Sequence, residues 1–452
     1  MTNQDSTPSS WLSLQLGQVI DYGQTEKVEP ENISSETWVL ELEDIERDTS
    51  RVLQRLTYAE RPSKSIKNSF SPGDVLYGKL RPYLNKVIYA DTSGVCSTEI
   101  IPLKPNLAVN SRYLFHWTRH PEFLAYTSQV SHGVNMPRLG TEAGRQAPFI
   151  LAPINEQRRI ADKLDRVLAR VDAANEHLSR VALLIKRFRQ SVLAAATSGR
   201  LTEDWRKHDE YKTTTVRMDD IGKVTGGLTK NAKRAELPLR KAYLRVANVY
   251  SNEVRLEEVL EIGLTESEYE KTKLTYGDLL IVEGNGSIDQ IGRVAMWKNE
   301  LPECSHQNHL IRWRRSNLNI VPEFILAYLL SPAGRTQIIS AASSTSGLHT
   351  LSVSKISALE LNIPPVEEQS EIVRRVEKLF AFADRLEKRL SQAQAAVQKL
   401  TPALLAKAFR GELVLQDPND EPASELLKRL QESRADSAKP SRARKPRARK
   451  LP

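Results

Sequence analysis

Lys79, Arg81, Tyr83, Asn85 and Lys86 form one compact basic and polar segment. Side chains of these types suit the surface of nucleic acid. An arginine fork grips guanine bidentately, asparagine pairs with adenine, and lysine ammonium groups hold phosphates. Similar residues crowd further stretches. Lys230, Asn231, Lys233, Arg234 and Arg240 follow Gly226-Gly227, with Arg245 and Asn248 soon after. Asn285, Ser287 and Gln290 make a second polar loop of that half, and Gln307, Asn308 and His309 a third. Asn135 and Arg138, in Asn135-Met136-Pro137-Arg138, and His349, in Gly347-Leu348-His349-Thr350, occupy loops just ahead of two long helical stretches. For each residue singly, a solvated turn position is the alternative. The sequence does not separate base contacts from phosphate contacts.

Bond-breaking chemistry has no comparable support. An Asn/Asp-Pro-Pro-aromatic motif for methyl transfer is missing: Ile363-Pro364-Pro365-Val366 lacks both the polar residue and the ring. Gly284-Asn285-Gly286 is a lone Gly-x-Gly, better read as a turn than as a cofactor fingerprint. No Gly-x-x-x-x-Gly-Lys-Ser/Thr loop is present for a nucleoside triphosphate. His306 and His309 have helical ligand spacing but no cysteine or acidic companions, so structural polar roles are expected. Glu257-Glu258 reads as a solvated face. No catalytic residue, metal ligand or bound cofactor is expected on this chain.

The 452 residues, with 40% hydrophobic content and mean hydropathy of −0.44, predict several soluble globular domains. There is no apolar run of membrane-spanning length and no signal-peptide pattern, so a cytoplasmic protein is expected. Cys96 and Cys304 are too few for a disulfide framework, which fits a reducing compartment. The net charge of +9 is uneven. Lys439, Arg442, Arg444, Lys445, Arg447, Arg449 and Lys450 supply seven of those charges, leaving +2 for the rest. Residues 414–452 are expected to be a flexible basic tail, adding at most sequence-independent phosphate affinity. Residues 1–10 are expected to be disordered.

The chain is written twice. Pro153-Ile154-Asn155-Glu156-Gln157 followed by Ile160 recurs as Pro365-Val366-Glu367-Glu368-Gln369 followed by Ile372, at an offset of 212. Gly199-Arg200-Leu201 and Gly411-Glu412-Leu413 keep that offset. Leu40–Ile45 matches Leu244–Val249, and Pro72–Leu76 matches Tyr276–Leu280, both at 204; Cys96-Ser97 matches Cys304-Ser305 at 208. Two α/β domains are expected, 11–152 and 211–364. Helices over Asn110–Tyr126 and Pro322–Ile339 are predicted within them.

Each domain precedes a rod, 153–200 and 365–413, with a linker at 201–210. In the first rod Ile160, Leu164, Val167, Val171, Ala174, Leu178, Val181, Ile185 and Phe188 alternate spacings of four and three. The second repeats the scheme with Ile372, Val376, Leu379, Ala383, Leu386, Leu390, Ala393, Val397 and Leu400. Such a heptad seam wants a facing seam, and the tandem repeat offers one: an antiparallel intramolecular coiled coil. A rod of roughly 35 steps spans ~52 Å at ~1.5 Å per residue, or roughly 15 base pairs of duplex. Pro402 is expected to kink or restart the second rod after Thr401. The alternative packs each rod on its own domain.

At this point the chain resembles the specificity subunits of Type I restriction–modification systems, over nearly its whole length. Gly73 through Lys86 is similar to one type of target-recognition domain. Gly277-Asp278-Leu279-Leu280, Gly286-Ser287, Gly292-Arg293 and Cys304 through Leu310 are similar to another, and the two Glu-Gln rod starts to the repeated spacers. The resemblance implies two recognition domains reading halves of a bipartite target in double-stranded DNA, with the rods fixing the gap. It also implies two adenine-N6 methyltransferase subunits as partners, which translocase–nuclease subunits can join. S-adenosylmethionine, ATP and Mg2+ then belong to those partners. A coiled-coil adaptor with two protein-binding ends is the competing reading.

Overall fold

The computed structural model describes residues 7–207, 210–345 and 347–437. Both halves open with the same closure. Leu12–Gln15 pairs antiparallel with Pro148–Leu151, and Thr214–Arg217 with Glu360–Ile363. Each ribbon brings the two ends of a globular domain together directly before a rod. In the first, Leu12 and Leu14 turn toward the core while Ser13 and Gln15 face water, as the two-residue period of a strand dictates.

The first domain holds a five-stranded sheet, ordered Lys27–Val28, Lys67–Phe70, Gly94–Cys96, Trp38–Leu40, Leu56–Thr57. A three-stranded sheet places Val75–Gly78 between Val87–Tyr89 and Ile100–Leu103. In the second domain the order is Gly222–Thr225, Leu310–Arg315, Leu279–Val282, Val294–Met296, beside a sheet with Leu239–Leu244 between Leu260–Leu264 and Cys304–His306. The central strands Val75–Gly78 and Leu279–Val282 are buried along their whole length. Short continuous apolar runs of this kind belong inside a sheet core.

Backbone pairing corrects one match of the repeat. Leu40 lies opposite Cys96 in a parallel pair, whereas Leu244 lies opposite His306. The Ser97 N–H donates to the Leu40 carbonyl at 3.0 Å, and the Gln307 N–H to that of Leu244 at 2.9 Å. The structural equivalent of Cys96 is therefore His306, at offset 210. Cys304 matches it only in sequence. Two residues along a strand the side chain returns to the same face, so both alignments satisfy the burial pattern and only the ladder separates them.

Neither predicted domain helix is continuous. Ser111–Thr118 and Pro121–Val130 replace the first; Pro322–Leu330 and Pro332–Ala341 replace the second. Pro121 and Pro332 each lack an N–H and disfavour helix at the preceding residue, so each starts a new helix.

The first rod is one helix, Ile154–Thr197; the second is Val366–Gln398 followed by Leu400–Phe409. The restart comes at Lys399, before the expected position. Pro402 thus falls in the first turn of the new helix, where a missing N–H costs nothing.

The chain forms two compact units: residues up to His177 with those from Ala393, and Leu178–Gln392. Each unit joins one domain to the start of its own rod and the end of the other. In the first, Ile160, Leu164 and Leu168 share a core with Tyr113, Trp117, Phe149, Leu405 and Phe409. In the second, Val192, Leu193, Ile372 and Val376 share one with Trp313, Phe324 and Leu361. The leading seam residues are therefore domain-core residues as well.

Rod meets rod in the second unit where Leu178, Ile185 and Phe188 pack on Ala383, Leu386 and Leu390. Arg189 pairs with Asp384 at 2.5 Å and Glu387 at 3.0 Å, and Arg375 with Asp204 at 2.5 Å. Rising numbers on one rod meet falling numbers on the other, so the pairing is antiparallel. Ala383 is fully buried, and its small side chain lets the helices approach. Two expected seam residues depart from it: Val181 is 39% exposed and Leu400 44%. Leu400 opens the new helix after the break at Lys399, where the phase of the apolar stripe resets.

Described parts of the two expected loose ends and of the linker are folded. Within 414–452, Ala423–Ser437 is a helix whose Ala423, Leu426 and Leu430 are buried in the first unit's core. Arg434 also pairs there with Asp21 at 2.7 Å. The basic run from Lys439 lies outside the described residues, as do residues 1–6. At the other terminus, the Ser10 carbonyl accepts the Ala423 N–H at 3.0 Å, so 7–10 are not loose. In the 201–210 linker, buried Thr202 donates its hydroxyl to Glu368 at 2.6 Å. Among the described residues no helix is long and apolar enough to cross a membrane.

Candidate nucleic-acid interface

Strand Val75–Gly78 runs directly into the basic segment of the first domain. The Lys79 N–H donates to the Glu99 carbonyl at 2.9 Å, and its own carbonyl accepts the Leu139 N–H at 2.9 Å. Arg81 and Asn85 flank the short Pro82–Leu84 turn, both left-handed, at φ 51° and 48°. The Arg81 N–H donates to the Pro137 carbonyl at 2.7 Å, and its guanidinium reaches the Asn135 carbonyl at 3.3 Å. Lys79, Arg81, Tyr83 and Asn85 are thus gathered beside Asn135 and Arg138. Arg138 pairs with Glu99 at 3.1 Å and stays half exposed. Arg81 Nε and Asn85 Oδ1 are enclosed without a protein partner. The Lys86 ammonium donates to the Leu42 carbonyl at 2.7 Å and ties the turn to the domain.

In the second domain a chain of backbone bonds joins four loops. The Leu228 N–H donates to the His306 carbonyl at 2.9 Å, and the Asn308 N–H to that of Leu228 at 3.0 Å. The Glu283 N–H donates to the His309 carbonyl at 3.0 Å, and Gly284–Asn285 pairs with Leu348–Thr350. One surface results, carrying Lys230, Asn231, Lys233, Asn285, Ser287, Gln290, Gln307, Asn308 and His349. Lys230, Asn231, Lys233, Ser287 and Gln290 are exposed on it. Asn285 accepts the Ser287 N–H at 2.9 Å, which shapes its loop.

Three of the expected contact residues have partners inside this domain. Arg234 is held bidentately by Glu268, at 2.9 and 3.1 Å, and its Nε donates to the Thr229 carbonyl at 2.7 Å. Asn248 is buried, accepting the Arg245 N–H at 2.9 Å and donating to the Arg255 carbonyl at 3.0 Å. Arg245 donates to the Glu258 carbonyl at 3.1 Å. Asn248 repeats the role of buried Asp44, which accepts the Glu41 N–H at 2.8 Å. A shared tight turn explains that stretch of the repeat. His306 is fully buried, its Nδ1 3.1 Å from the Thr272 carbonyl, and burial pushes its pKa down to about 3. It is a neutral core residue. Among the described residues no three metal-ligating side chains come together.

The two surfaces are unlike where their backbones agree. Lys79 and Glu99 occupy the places that Glu283 and His309 fill in the second domain, where the pair lies 2.8 Å apart. The same scaffold therefore presents different side chains at equivalent positions.

Residues 210–393 match the family described as Type I restriction modification DNA specificity domain. Over 359 residues the chain is 33% identical to the EcoKI specificity subunit of Escherichia coli (strain K12), covering 76% of each protein. The chain belongs to the Type I restriction enzyme specificity subunits. It is also 32% identical over 353 residues to the StySPI specificity subunit of Salmonella potsdam, again over 76% of each. Two solved structures share the fold at 18% identity. One chain, from work on complex assembly and conformational transition of the type I R-M system, has a TM-score of 0.73 over 90% of this subunit and 99% of that chain. The HsdS subunit from Thermoanaerobacter tengcongensis has 0.53 over 91% and 99%.

In this specificity subunit the Glu-Gln pair at each rod start has a use that spacing alone did not reveal. Gln157 accepts the Asn110 N–H at 2.8 Å and donates to the Ala152 and Ala108 carbonyls at 2.8 and 2.9 Å. Gln369 makes the equivalent bonds to Val321, Pro364 and Asn319. Buried Glu156 accepts from Trp11 at 2.7 Å and from Gln416; buried Glu368 accepts from Thr202 and from Arg206 at 2.5 Å. Each glutamine locks a rod to its own domain, and each glutamate receives the segment that follows the other rod.

Proposed function

We propose that the subunit reads a bipartite, asymmetric target in double-stranded DNA, each domain reading one half in the major groove while the rods set the unread gap. The different side chains at equivalent backbone positions, Lys79 and Glu99 against Glu283 and His309, carry the reading of unlike half-sites. The subunit performs no catalysis of its own. Two adenine-N6 methyltransferase subunits, joined in the restricting form by translocase–nuclease subunits, bring S-adenosylmethionine, ATP and Mg2+ and carry out the reactions.

Long-read mapping of methylated adenine, in a host carrying the subunit and its methyltransferase, tests this. Exchanging residues 211–364 for another recognition domain is expected to change one half-site only. Deleting one heptad from each rod is expected to alter the gap and leave both half-sites intact. An unmoved gap, or methylation by the purified chain alone, overturns the corresponding part. Absence of any sequence-dependent DNA binding would instead favour the adaptor reading.

A further inference from the structure

Exposed apolar side chains stand among the polar residues of both surfaces, and the reading above does not use them. Val134 is fully exposed and Met136 nearly half exposed. They occupy the tip of a hairpin whose ends, His132 and Arg138, exchange both backbone bonds, at 3.2 and 2.9 Å. Gly133 opens the tip at φ +122°, where a Cβ would come within 2.9 Å of the Met136 carbonyl oxygen. Arg138 bridges to Leu80, and Pro137 accepts the Arg81 N–H. The tip is thus fastened to the basic segment at two points, and the exposure of Val134 is not that of a loose chain.

The second domain repeats the device. Ser343–Thr345 pairs with Leu348–Thr350, and Thr350 pairs with Gly284, as Arg138 does with Leu80 at offsets 212 and 204. Gly347 has φ +78°, and Leu348 directly after it is 48% exposed. In each domain a positive-φ glycine is followed by an aliphatic residue held out toward solvent. Lys79 and Arg81 lie beside the first, Asn285 and His349 beside the second. Duplex DNA offers such a side chain one apolar group in the major groove, the 5-methyl of thymine. We propose that Val134 and Leu348 each contact a thymine methyl group, one in each half of the target.

The inference rests on the DNA-reading function above, and its test keeps the two apart. The full-length subunit is purified with its methyltransferase partner, and its mapped target is synthesised with each thymine in turn replaced by deoxyuridine, which removes the methyl alone. One position in each half is expected to lose about fourfold in affinity, the worth of one buried methyl group. Val134→Ala is expected to abolish that loss in the first half and Leu348→Ala in the second. A half-site without thymine, no loss at any position, or variants that keep the full thymine preference would overturn the proposal. Arg81→Ala reports on the underlying reading. If it weakens the first half-site while thymine and uracil bind alike, only the methyl contact falls; if it has no effect on binding, the reading of that surface falls too.

Discussion

Gln369→Ala tests whether each rod is keyed to its own domain by one buried amide. Gln369 is 1% exposed; it accepts the Val321 N–H at 2.9 Å and donates to the Pro364 carbonyl at 2.9 Å. Alanine leaves the Val321 N–H and the Pro364 carbonyl without their side-chain partner, and also removes the longer bond to the carbonyl of exposed Asn319. At ~1–3 kcal/mol for each orphaned group, the loss is about 2–6 kcal/mol. A unit of roughly 200 residues loses ~2–4 °C of Tm per kcal/mol, so a fall of roughly 5–20 °C is expected. Gln369→Glu is expected to do no better, because a carboxylate would face the Pro364 carbonyl with no proton to give. Thermal unfolding gives the size, and hydrogen exchange read by mass spectrometry gives the place. Protection is expected to fall within residues 178–392 first, and Gln157→Ala is expected to report in the other unit. Loss of less than about 1 kcal/mol, or equal loss in both units for either variant, would refute the reasoning.

Further outcomes follow from the same contacts. Arg81→Ala is expected to weaken binding with folding unchanged, whereas Arg234→Ala, which removes the bidentate partner of Glu268, is expected to cost about 1–3 kcal/mol of stability, measured by urea titration. His306 has a folded-state pKa of about 3, below the ordinary 6.5. The unfolded chain takes up a proton first, so stability is complete above pH 6.5 and falls as pH drops toward 3, by ~1.4 kcal/mol per pH unit. The stability gap between wild type and His306→Asn is therefore expected to shrink between pH 7 and 4.5; a constant gap would contradict the assignment. Truncation after Leu413 removes buried Leu426 and Leu430, each worth ~1.5–3 kcal/mol, and is expected to destabilise the first unit. Truncation after Ser437 is expected instead to leave melting unchanged and weaken DNA binding on all sequences alike, with a shallower salt dependence.

Legibility followed the range of the forces involved. The heptads of both rods could be read because helical periodicity is local, yet Ile160 and Ile372 also serve domain cores, since a period does not say what lies opposite. Arg234 looked like a DNA contact because charge is visible in sequence while its neutralising partner, Glu268, is brought to it only by folding. The helix Ala423–Ser437 was hidden for a different reason: its apolar residues were read as one tail with the basic run that starts at Lys439.

Taken alone, the amino-acid order established a duplicated α/β domain and rod, the facing apolar stripes, and polar clusters of DNA-reading type. All of these depend on neighbours along the chain or on motifs compared at a fixed offset. Folding decided the register that makes His306, not Cys304, the counterpart of Cys96. It also decided which cations remain available and what each Glu-Gln pair holds. Those outcomes depend on hydrogen bonds and burial between residues far apart in the chain, which no local pattern encodes.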